Sequence, residues 1–141
     1  MDKNAELLNA ATRGNLTEVE RLLREGADKD TNQGYVLWTP LLAASSQGHL
    51  EVVELLLGAG ADLEKANAFG WTPLYVAAQG GSFDIAKSLI KAGAKIDRTD
   101  SEMRTPLHGA CERGRIDMVG LLVSSGANID APEALGWTPV M

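Results

Sequence analysis

Chemistry requires groups whose pKa or nucleophilicity is tuned by converging neighbours. This sequence holds few candidates. There are two histidines, His49 and His108, and one cysteine, Cys111. Scattered along the chain, they fall short of the four ligands of a zinc site. Cys111 stands between Ala110 and Glu112 late in an expected helix and reads as a small buried apolar residue rather than a nucleophile. The acids Asp28/Asp30 and Asp62/Glu64 recur at one place in the pattern. A calcium loop needs a denser run of ligands and a closing Glu, so these read as solvated turn residues. Gly58-Ala59-Gly60-Ala61 lacks the third glycine of a dinucleotide loop, and no Gly-Lys-Ser/Thr phosphate loop is present. The expectation is a chain that is not an enzyme and has no cofactor and no metal.

Composition narrows the partner. Thirteen Lys and Arg stand against 19 Asp and Glu, a formal charge of -6. Lys87, Lys91 and Lys95 form the one cationic run, and the first two read as a solvated helix face. An acidic surface releases no counterions from nucleic acid and is repelled by an anionic bilayer, which argues against both as partners. No apolar run approaches the 18 residues of a spanning helix, so membrane insertion is not expected. A lone cysteine rules out an internal disulfide. The acidic start, Met1-Asp2-Lys3-Asn4-Ala5-Glu6, does not read as a signal peptide. An intracellular protein, cytoplasmic or nuclear, is expected, and the sequon Asn15-Leu16-Thr17 then carries no glycan.

The elements that position these residues follow from a period. Thr-Pro occurs at Thr39, Thr72, Thr105 and Thr138, at intervals of 33 residues. Gly-Ala at Gly26, Gly60, Gly93 and Gly126, and a further glycine at Gly14, Gly48, Gly81 and Gly114, keep the same step with a single 34. The extra residue falls between Ala27 and Trp38. Three markers on one period place one domain over 1–141. It divides into a cap-like unit at 1–33, units at 34–66, 67–99 and 100–132, and the start of a truncated fifth at 133–141.

Each unit reads as two helices and a finger. Thr caps a helix, and Pro at the first helical position strands no amide. The spacing predicts a helix from Pro40 to Gln47, ended by Gly48, and a second from His49 to Leu57. In that second helix residues 50, 53, 56 and 57 share one apolar face. The stretch from Ala61 to Trp71 is polar and irregular and reads as an extended finger with a tight turn.

Thr72-Pro73-Leu74 with Ala77-Ala78, Gly48-His49-Leu50-Glu51-Val52-Val53 with Leu56-Leu57 and Gly60-Ala61-Asp62, and Thr105-Pro106-Leu107-His108 resemble the ankyrin repeat family. The resemblance implies an all-α solenoid of stacked helix-turn-helix units with β-hairpin-like finger loops. It implies that His108 bonds backbone between units and that His49 is likewise structural. It also brings an asparaginyl hydroxylation site to Asp30, Glu64, Asp97 and Asp130, where the absence of Asn speaks against that modification. Leu37 and Met103 stand where other fingers have Gly70 and Gly136, so distorted first and third fingertips are expected.

For function the resemblance implies a non-catalytic protein–protein interaction module: an adaptor, scaffold or regulator gripping another protein by its finger tips and concave helix face. Carried over by position, that face comprises Tyr35, Val36, Trp38, Ser46 and Gln47, then Phe69, Trp71 and Gln79. It continues with Glu102, Arg104, Glu112 and Arg113, and with Leu135 and Trp137. Five of the seven aromatics lie in fingers, the skew of an interface rather than a helical core. Trp71→Ala is accordingly expected to spare folding and weaken binding. Two alternatives stand beside this reading. One is a targeting segment of a larger enzyme or channel continuing beyond Met141. The other is a structural unit that self-associates through its uncapped C-terminal end.

Overall fold

The computed structural model describes residues 2–131. Its helices run in pairs: α1 Lys3–Arg13 with α2 Leu16–Arg24, α3 Pro40–Gln47 with α4 Leu50–Gly58, α5 Pro73–Gly80 with α6 Phe83–Lys91, and α7 Pro106–Glu112 with α8 Ile116–Ser124. Each of the three described Thr-Pro helices is capped as its sequence demands. The Thr39 and Thr72 hydroxyls accept from the amides of Leu42 and Tyr75 (3.1 and 3.2 Å). At α7 the Thr105 amide donates to His108 Nδ1 (3.0 Å), closing a capping box.

The first helices stack α1 on α3 on α5 on α7, and the second helices form an outer row, α2 on α4 on α6 on α8. Small residues allow the inner row its close approach: Ala10, Ala11, Ala44, Ala77, Ala78 and Ala110 are all buried between helices. Leu7, Leu41, Leu74 and Leu107 run through the core at one position per unit, and Val19, Val53, Leu56, Leu89 and Leu122 join them from the outer row. Val52 is buried as well as Val53 and Leu56, while Leu50 and Leu57 are only partly so. The reason is that α4 packs on α2, α3 and α6 together, which buries a broader face than one stripe.

The acids at the finger feet are not idle solvated groups. Asp28, Asp62 and Asn128 each fold back on an amide two residues on, at 2.9 to 3.0 Å. A second set reaches farther along the chain, Asn4 within the first unit and the other three across to the next unit. Asn4, Asp30, Glu64 and Asp97 accept from the amides of Asp28, Asp62, Lys95 and Asn128, at 2.8 to 3.0 Å. This ladder satisfies a backbone donor at every junction, which explains why the acids recur.

Candidate functional site

The fingers are turns rather than strands. Among the described residues one antiparallel bridge occurs, Gln33 with Trp38, whose backbones exchange two hydrogen bonds (2.9 and 3.0 Å). The second finger is closed by the Asn67 side chain, whose Oδ1 accepts from the amides of Phe69 (3.0 Å) and Trp71 (3.1 Å). Asp100 repeats this with Glu102 (2.9 Å) and Arg104 (2.8 Å). Neighbouring tips are joined through backbone: Ala68 N donates to Val36 O (2.8 Å) and Ser101 N to Phe69 O (3.0 Å).

The missing glycines do not distort the third tip as expected. Gly70 has φ 77°, and a Cβ there would lie 2.8 Å from Ser101 N. Met103 takes the same left-handed conformation at φ 63°, and its amide bonds Asp100 O (3.0 Å) much as Gly70 bonds Asn67 O (2.9 Å). Leu37 is also left-handed, at φ 61°, inside a loop one residue longer. The hydrogen-bonded frame outweighs a backbone penalty of about 1–2 kcal/mol per residue.

The aromatic strip divides in two. Tyr35, at the apex of the longer loop, is fully exposed, and Phe69 (46%), Leu37 (41%) and Met103 (54%) also face solvent. The tryptophans turn inward. Trp38 and Trp71 are half-buried against Leu42, Tyr75 and Val76, a second apolar cluster at the finger roots. Phe69 leans on Trp71 with ring centroids 4.9 Å apart, and Trp71 stacks on Tyr75 at 5.8 Å and 23°. Trp71 therefore carries packing, and the expectation that its removal spares folding is revised.

Tyr75 escaped the sequence reading. It is fully buried, between α5 and α7, and a Cβ on Gly109 would approach its ring to 3.3 Å. The available signal was the opening Thr72-Pro73-Leu74-Tyr75, with Tyr where Thr105-Pro106-Leu107-His108 has His, opposite a glycine in the next unit. Burial pushes its phenol up to about 12, the nearby Arg104 guanidinium opposing and Asp100 assisting. Among the described residues the Tyr75 hydroxyl, Trp71 Nε1, Asn67 Nδ2 and Ser45 Oγ are buried without a hydrogen-bond partner.

Arg104 crowns this cluster, its guanidinium carbon 5.9 Å from the Tyr75 centroid. It pairs with Asp100 (3.1 Å), Glu102 (3.4 Å) and Glu112 (3.5 Å). Asp100 is buried, whereas Glu102 and Glu112 stay largely open to solvent, as does Arg113. On the helix side, Ser46 and Gln47 are exposed and line a shallow groove of about 310 Å³ with Trp38, Leu8 and Thr12. Val36 and Gln79 are half-buried, and the Gln79 carbonyl accepts from Arg115 Nε (3.2 Å). Leu135 and Trp137 lie outside the described residues.

The reactive residue types are occupied structurally. His49 sits over Gly14 and its Nε2 meets the Thr12 carbonyl (3.0 Å), so this histidine bridges two units. His108, three residues before Cys111, turns Nδ1 to Thr105 inside its own unit. Burial raises the Cys111 thiol, which disfavours the thiolate. Among the described residues no group of three or more His, Cys, Asp or Glu is placed to hold a metal, and no helix is long and apolar enough to cross a membrane.

A family model described as ankyrin repeats in three copies matches residues 7–100, and a further ankyrin repeat matches 103–134. No curated protein matches the chain. The first of these matches alone spans well over half of the sequence, over the stretch whose helix pairs stack in register, and the chain belongs to the ankyrin repeat family.

Proposed function

We propose that this chain is an adaptor, scaffold or regulator that docks a partner protein across its finger tips and the adjoining concave helix face. Ankyrin repeats are generally protein–protein interaction modules and typically non-catalytic. Within that class, the observation that carries the site is the outward row Tyr35, Leu37, Phe69 and Met103. These are large apolar side chains on tips already tied together by backbone bonds, so little ordering cost falls on this side of a complex. Tyr and Phe in such a row are the residue types that anchor interfaces. The lone Cys111 supports a reducing setting, inside the cell, in cytoplasm or nucleus.

Tyr35→Ala combined with Phe69→Ala tests this, because neither ring belongs to the buried cores. In quantitative affinity capture from the native source, the double variant is expected to lose its specific partner. With that partner purified, the loss is about 2 kcal/mol or more, while thermal melting shows the double variant still folded. Retention at full affinity moves the site off the tips. Exposed Ile116 (82%), Val123 and Ile129 around α8 favour a second reading, self-association through that end. A monomer mass in sedimentation that does not change with concentration excludes it.

A further inference from the structure

Resting on the finger-tip surface just proposed, we infer that the docked partner is a polarised segment, apolar or aromatic side chains adjoining Lys or Arg, lying so that the cations reach Glu102 and Glu112. Over the described residues the surface changes character from one side to the other. Across the first and second fingers, Tyr35, Val36, Leu37, Ala68 and Phe69 carry no charge, and neither do Ser46 and Gln47 on the helix side. Charge begins at the third finger and is unbalanced there. Arg104 is mostly covered, and its shortest ion pair goes to the buried Asp100. Glu102 and Glu112 touch it only at 3.4 and 3.5 Å, with 66% and 54% of their side chains open to solvent. Arg104 is thus matched by Asp100, and the two outer carboxylates keep acceptor capacity facing outward. An incoming guanidinium or ammonium would find charge-assisted bonds there. Beside it Met103 holds an apolar side chain outward on a left-handed backbone, continuing the uncharged row up to the acidic side.

Charge complementarity selects this occupant over the alternatives. A second copy of the chain, at -6, brings its own acids to an acidic side. Nucleic acid and anionic lipid are repelled for the same reason.

The test selects binders from a random displayed-peptide library on the immobilised full chain, then measures the selected synthetic peptides by fluorescence anisotropy. The expected peptides carry aromatic or aliphatic residues next to Lys or Arg, in one order. Their affinity falls about tenfold or more when Glu102→Lys and Glu112→Lys are combined, and it weakens as salt is raised. Glu102→Gln with Glu112→Gln is measured in parallel. It leaves Arg104 its Asp100 partner, and thermal melting checks that both double variants fold. Neutral or acidic peptides, or affinity indifferent to both double variants, overturn the polarity. If those peptides still fail on Tyr35→Ala with Phe69→Ala, the finger-tip site stands without it. Peptides indifferent to that tip pair overturn the site as well. So does a dimer that buries the tips. A library that yields no binder overturns the segment.

Discussion

Tyr75 and Trp71 carry the load at the roots of the fingers. Trp71 touches rings on both sides, so Trp71→Ala is expected to cost about 2–3 kcal/mol of stability, somewhat under the value for a fully buried aromatic. Urea unfolding measures it, and a loss below about 0.5 kcal/mol would return Trp71 to the free surface. The Tyr75 phenol makes a pH prediction. Its folded-state pKa is raised from 10.0 to about 12, so the neutral form is the one that the fold favours. The corresponding stability is complete below pH 10.0 and is lost as pH rises towards about 12. Ultraviolet titration should show a phenolate step near the upper value that disappears in Tyr75→Phe.

Helix pairs are held in register by side chains that reach across junctions. Asp30 Oδ1 accepts from Asp62 N (2.8 Å), and within the first unit Asn4 holds the Asp28 amide in the same way with an amide oxygen (2.8 Å). Asp30→Asn is therefore expected to be nearly neutral and Asp30→Ala to cost about 1 kcal/mol. Chemical denaturation of the two variants side by side distinguishes a hydrogen bond from a charge effect, since equal losses would point to charge. At α2 charge does matter. Arg21 holds Glu18 and Glu25 below the usual carboxylate range, through side-chain hydrogen bonds first. Their contribution is present above the ordinary carboxylate pKa and fades as pH falls through the lowered values.

At the scale of the molecule, stability passes from unit to unit through neighbouring interfaces. The junction of α5 and α7 depends on Gly109, where even a Cβ meets the Tyr75 ring at 3.3 Å. Gly109→Val should force that junction apart. Hydrogen exchange is expected to lose protection across α7 and α8 first, with α1 to α4 retaining theirs. Uniform loss along the array would show a single cooperative block instead.

The repeat, the helix pairs and their caps were legible in the residues alone. Thr-Pro, glycine and alanine spacing is local information, and each marker acts within a few residues of itself. Tyr35 was placed on the outer face by the family resemblance, and its side chain is exposed. What tertiary structure decided is the direction of side chains at junctions. A Trp before Thr-Pro has the same neighbours in sequence whether it faces water or leans on the apolar cluster at the finger roots, and only the packing of the folded chain chooses. The acids at the finger feet were legible as a pattern but not as a ladder, because their acceptor and donor lie about 30 residues apart. Local chemistry thus specifies the unit, while contacts between units assign each side chain to core or surface, since burial is a property of what lies alongside.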